Sequence, residues 1–254
     1  MTAPAGTARY RQLDSARIVE TLRALVSRVS ERFPGSGLSG VAAEMLAVAE
    51  RTADEVRSLS RPIWPLRVLS GLLSLAIVSA IVLAFRRVEP AGETISFPEL
   101  VQTIESAMQE AVFVGIAIAF IATIEGRLKR RRALQAIHEL RSFIHIVDMH
   151  QLTKDPEQFL TANIDTESSP RRTMTRHQLG RYLDYCGEML SLASKLAALY
   201  AQHVADPVVL DTVAEVESLA GDLSAKIWHK IMILDTIAGR AAEDVGSAAT
   251  EAGA

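Results

Sequence analysis

Two long apolar runs, separated by a short acidic segment and flanked by arginines, fill residues Pro62 to Arg132 and limit what this chain can fold into. The first, Val68 to Phe85 (VLSGLLSLAIVSAIVLAF), is eighteen residues without a charge, with Arg67 before it and Arg86-Arg87 after it. At about 1.5 Å per residue it makes roughly 27 Å of helix, close to the ~30 Å of hydrocarbon in a bilayer. The second, Ala111 to Ile124 (AVFVGIAIAFIATI), has fourteen residues and alone suits a buried core helix as well as a span. Extended back to Ser106 it reaches nineteen residues, with Gln109 and Glu110 its only strongly polar members, and it runs into Arg127, Lys129, Arg130, Arg131 and Arg132. Two such runs in one chain predict a two-span hairpin over residues 63–126, with the lipid bilayer as its first partner.

Basic residues orient the hairpin. Arg51, Arg57, Arg61 and Arg67 precede the first run and the basic cluster follows the second, whereas the connecting segment 86–105 has only Arg86 and Arg87 among its acids. Positive residues stay on the cytoplasmic side, so both termini are expected there, with the acidic loop outside. Trp64, between Pro62 and Pro65, suits the inner headgroup level. No cleavable signal peptide precedes residue 68, so the first run is expected to act as an uncleaved anchor. Arginine outnumbers lysine 22 to 5, which points to a GC-rich bacterial source and hence to the inner membrane.

The remaining segments, 1–62 and 127–239, predict an N-terminal helical hairpin and a cytoplasmic bundle of three or four helices, making the whole all-α. A net charge of -3 speaks against a nucleic-acid partner, and the single cysteine, Cys186, leaves no intrachain disulfide framework. In the N-terminal segment, Ile18, Leu22, Leu25 and Val29 recur at helical spacing, Pro34-Gly35-Ser36-Gly37 breaks the pattern, and Val41, Met45, Val48 and Val56 mark a second helix. Ser96-Phe97-Pro98-Glu99 has the form of a capping box, and no proline interrupts the chain again before Pro156. One helix of about 55 residues is therefore expected to start outside, form the second span and continue into the bundle. Asp155-Pro156 starts a short helix, 161–175 is a polar loop, and two helices joined at Asp206-Pro207 follow. Their seams are Leu179, Leu183, Cys186, Leu190, Ala193, Ala197 and Tyr200 on one, and Val209, Val213, Val216, Ala220, Leu223, Ile227, Ile231 and Leu234 on the other, a near-heptad, coiled-coil-like repeat. Trp228 is expected as an apolar anchor, and 240–254 as a disordered tail.

Candidate functional positions lie on the long helix. Ile137, Leu140, Ile144 and Val147 make one apolar face and Phe143, Ile146 and Met149 a second, leaving His138, Arg141, His145 and Asp148 as one polar stripe. With His177, Asp184, Glu188 and His229 this stripe offers metal ligands on paper. Yet no Glu-x-x-His or His-x3-His pair is present, and His138 and His145 stand about 10 Å apart along the axis. The simpler expectation is a polar seam in which Asp148 orients His145 and Arg141 meets a carboxylate across an interface. Glu110 falls about 22 Å along the helix from Glu125, either within the outer leaflet, where an acid implies an ion path, or at its interface.

No motif for nucleotide binding, nucleophilic catalysis or metal ligation emerges, so no catalytic residue, metal or cofactor is assigned. The expected function is that of a membrane-anchored, homo-oligomerising scaffold that binds a cytoplasmic protein or senses the membrane. Small residues four apart (Ala76, Ala80, Ala84; Ala107, Ala111, Gly115, Ala119) suit close helix approach within or between chains. An oligomeric two-span pore with Glu110 at its outer mouth is the alternative, and a metal-dependent site in the bundle a third reading.

Overall fold

The computed structural model describes residues 12–59, 61–87, 97–159, 167–168 and 173–251. The expected tail at 1–6, the Ser96 cap, the centre of the acidic loop and most of the polar loop after residue 160 lie outside them. Among the described residues the protein is all-α, with six α-helices and no strands: α1 (Ser15–Arg32), α2 (Gly37–Leu59), α3 (Trp64–Arg87), α4 (Phe97–Leu152), α5 (Arg176–His203) and α6 (Pro207–Glu251). The expected short helix after Asp155 is a 3-10 helix, Pro156–Phe159.

Local chemistry sets these boundaries. The Asp14 carboxylate accepts from the Ala16 amide and opens α1, and Phe33 closes it by donating its amide to the Val29 carbonyl. The chain then reverses through Gly35, whose φ of 66° lies in the left-handed region that glycine enters without steric cost. α5 begins with a reciprocal capping box, in which Thr175 Oγ1 accepts from the Gln178 amide and the Gln178 side chain accepts from the Thr175 amide. Asp206 Oδ1 accepts from the amides of Val208 and Val209 at the start of α6, where Pro207 has no amide to satisfy. α4 forms the predicted long helix, 56 residues without a break.

The chain divides into two compact units, Met1–Ser60 with Ala133–Ala254, and Arg61–Arg132. The first has one continuous core. The N-terminal hairpin joins that core: α1 and α2 pack on α5, and the bundle comprises α1, α2, the end of α4, α5 and α6. Ile18, Leu22, Leu25 and Val29 of α1 and Met45, Val48 and Val56 of α2 are all buried. α5 is the central element. Beyond its predicted seam it also buries Tyr182, Tyr185, Met189, Leu192, Leu196 and Leu199, so a broad face of it is apolar and covered. Phe33 stands edge-on to both Tyr182 and Tyr185, with ring centroids 5.5 and 6.2 Å apart. The α6 seam is buried apart from the partly covered Ile231, but Trp228 is 62% exposed and anchors nothing in this core. α6 also stays helical to Glu251, past Gly239, where a disordered tail was expected; an Ala-rich stretch with no proline continues a helix at little cost.

In the second unit, α4 is long and apolar enough to cross a membrane. α3 is a second, apolar helix of 24 residues. The structure thus supports one candidate membrane helix among the described residues.

Truncating the central helix should destabilise the bundle far more than truncating its surface. Leu183→Ala is expected to lower stability by about 2 to 5 kcal/mol through lost transfer energy and a residual cavity. Trp228→Ala should fall within about 0.5 kcal/mol of the parent protein. Thermal unfolding of the two variants, followed by circular dichroism in detergent, makes the comparison.

Candidate functional site

The last three turns of α4 carry the predicted stripe, and only one of the two flanking apolar faces is buried. Ile137, Leu140, Ile144 and Val147 lie in the core, whereas Ile146 is 39% and Met149 68% exposed. The stripe therefore lies largely in the open: His138 and His145 are exposed, and Arg141 and Asp148 are partly so. Arg141 does meet a carboxylate, donating from Nη1 to Glu215 Oε2 of α6 at 3.3 Å. The expected His145–Asp148 pair is not formed. Asp148 Oδ1, partly covered, instead accepts from Gln151 Nε2 at 2.6 Å, while His145 is exposed.

Gln151 is the polar residue that matters in this region, and periodicity gave no sign of it. It is 2% exposed, and its groups are shared out fully. Its Nε2 serves Asp148, while its Oε1 and its backbone carbonyl accept from Lys230 Nζ of α6 at 2.7 and 3.0 Å. A buried amide needs such partners, since one left unpaired costs about 1 to 3 kcal/mol. The ammonium also sits at the carboxyl end of α4, where unpaired carbonyls favour a cation. Desolvation by burial lowers the Lys230 pKa, with Asp155 and Asp148 acting in the opposite direction. The available signal in the sequence was a lysine, Lys230, followed by the apolar run Ile231 to Leu234 of α6.

Around this node, Tyr182 donates its hydroxyl to the His150 carbonyl at 3.3 Å, and Lys154 Nζ lies 5.5 Å from the centre of its ring. Burial raises the Tyr182 pKa and pushes the fully enclosed Cys186 thiol up to about 12, so the thiol stays protonated and inert at neutral pH. Tyr200, wholly buried, donates to Glu55 Oε2 at 2.9 Å and ties α5 to α2.

The further metal candidates are engaged elsewhere: Asp184 pairs with Arg181 at 3.0 Å, and Glu188 takes both terminal nitrogens of Arg28. No group of three or more His, Cys, Asp or Glu side chains among the described residues is placed to share a metal ion.

In the second unit, Glu125 gathers the polar groups that bracket the apolar runs. Its carboxylate accepts from Arg67 Nε at 2.6 Å and pairs with Lys129 Nζ at 3.0 Å, and Lys129 also donates to the Arg61 carbonyl. Arg127 lies over the Phe120 ring, 4.9 Å from its centre. Glu110 is exposed. Compared with known proteins, the chain matches no family model, no curated protein and no solved structure.

Two measurements follow from this geometry. Lys230→Met should cost about 1 to 3 kcal/mol by stranding the buried Gln151 amide, and the double variant Lys230→Met/Gln151→Leu should recover part of that loss. Cys186 gives a pH test. Between its ordinary value near 9 and about 12 the unfolded chain releases the thiol proton while the folded chain keeps it. The folded state then binds more protons, so stability contributed by this group falls as pH rises through that window. Cys186→Ser should show a shallower decline over the same range in denaturant titrations, and a thiol reagent should label the parent protein only after unfolding.

Proposed function

We propose that this chain is a non-enzymatic scaffold anchored in the bacterial inner membrane by a two-span hairpin of α3 and α4. Its termini and helical bundle face the cytoplasm, and it works as a homo-oligomer whose bundle binds a protein partner or reports the state of the membrane. The observation that carries this reading is the apolar stretch of α4: none of the candidate span is buried, and Val112, Phe113, Ile116 and Phe120 are all more than half exposed. A contiguous surface of this kind is stable in lipid and a liability in water. α3 adds Leu69, Leu72 and Leu75, each at least 60% exposed.

The Glu125 cluster supports the two-span form. Arg67 stands just before one apolar run and Glu125 just after the other, and the 2.6 Å contact between them brings both runs to a common starting level. From there α3 extends over 24 residues, about 36 Å of helix, sufficient to cross. The arginines beyond Glu125 fit the cytoplasmic side by the retention of positive charge. The polar stripe on α4 lies at the surface, where it suits contact with another protein.

Purification in detergent followed by light scattering, with crosslinking in cells, tests the scaffold. The expected result is a defined multiple of the chain mass and at least one protein reproducibly crosslinked to Cys substitutions at His138 or His145. A strict monomer with no crosslinked partner would overturn the reading.

A further inference from the structure

The apolar stretch of α4 ends in a concentration of positive charge that the rest of the chain lacks. Glu125 to Arg132 holds five cations and one acid, in a chain whose net charge is -3. The acid is engaged locally, since Arg67 of α3 and Lys129 both pair with Glu125, at 2.6 and 3.0 Å. Arg127 and Arg131 are different. Both are exposed, and neither meets a carboxylate among the described residues.

The helical repeat separates these two arginines from Glu125 and joins them to the apolar surface. Four positions apart, they stand one above the other on one face of α4, whereas Glu125, two positions before Arg127, falls on the opposite side. Counting back from Arg127 by seven, four and three residues reaches Phe120, Ile116 and Phe113, which share that face and are each more than half exposed. The Arg127 guanidinium lies over the Phe120 ring, 4.9 Å from its centre, so the charge begins where the apolar row ends. Ile116 lies about 16 Å along the axis from Arg127, roughly the depth of one leaflet of hydrocarbon.

We propose that this row binds an anionic phospholipid of the cytoplasmic leaflet. Arg127 and Arg131 hold the headgroup phosphate between them, and an acyl chain lies along Phe120, Ile116 and Phe113. The inference rests on the membrane anchoring proposed above. A guanidinium binds phosphate oxygens through paired N–H groups, and two of them one turn apart reach a single phosphate. Their charge favours a headgroup with net negative charge over a zwitterionic one, whose own cation they repel. A soluble phosphate would meet the same charges but leave the apolar row uncovered, which favours the lipid as occupant.

Native mass spectrometry of the full chain in dodecyl maltoside, titrated with dioleoyl phosphatidylglycerol or dioleoyl phosphatidylcholine, counts the lipids retained. The first phosphatidylglycerol should be held about tenfold more tightly than phosphatidylcholine. Arg127→Gln and Arg131→Gln should each weaken phosphatidylglycerol by about fivefold and leave phosphatidylcholine unchanged. If Arg127→Gln cannot be purified, Arg127→Lys keeps the charge, removes the fork, and should still weaken phosphatidylglycerol. Arg23→Gln, which removes an exposed arginine of α1 paired with Glu50, should change neither affinity. Inorganic phosphate, at matched ionic strength, should not displace the lipid. Equal affinity for the two lipids, a preference that survives both glutamine substitutions, or displacement by inorganic phosphate would overturn the site. Failure of the anchoring shows separately, as release of the chain from cell membranes by alkaline carbonate. A chain that resists carbonate yet shows no lipid preference sinks the headgroup site alone.

Discussion

The bundle depends on the broad apolar face of α5. A helix with a single narrow apolar stripe needs one partner; α5 buries tyrosines, leucines and methionine over a face wide enough to require α1, α2 and α6 to cover it. Each large side chain withdrawn from water contributes about 1.5 to 3 kcal/mol, which makes this covering the main source of cohesion. It also explains why the N-terminal hairpin and the C-terminal helices, far apart in sequence, close around one core. Tyr200 meeting Glu55 and Arg28 gripping Glu188 then fix α5 against α2 and α1.

Polar groups inside that core follow a stricter rule. Gln151 is tolerated because Asp148 and Lys230 use its amide fully, and the same lysine closes the carboxyl end of α4. The other unit follows the opposite rule. Along α3 and α4 the large apolar side chains face outward, and the polar groups cluster at Glu125, where Arg67 and Lys129 neutralise its charge. Under the proposed membrane anchoring, two solvents account for the two surface chemistries: water around the bundle and hydrocarbon around the apolar helices.

Helical periodicity made the bundle legible. The faces through Leu22 and Leu25, Ile137 and Leu140, and Val213 and Val216 are the buried ones, since the repeat of the α-helix fixes which residues lie together. It does not fix what covers them. That is why α1 and α2 look like a domain of their own in the sequence, and why the Phe143–Ile146–Met149 face, apolar enough for a core, is in fact partly open. The same gap explains the polar stripe: a spacing of three places both His145 and Gln151 near Asp148, but only Gln151 is buried, and Lys230 of α6 holds its amide in place. The contact of Arg32 with His177 was equally invisible, because the two are 145 positions apart in sequence and only the packing of α1 on α5 brings them together.

The central claim is that α3 and α4 cross the membrane together and leave both flanks in the cytoplasm. Single cysteines placed at Gly92 and at Ser58 in a Cys186→Ala background, treated in intact cells with a membrane-impermeant maleimide, address it directly. The account predicts labelling at position 92 in intact cells and at position 58 only after permeabilisation. Labelling of both positions, or of neither, before permeabilisation would contradict a two-span hairpin with cytoplasmic ends.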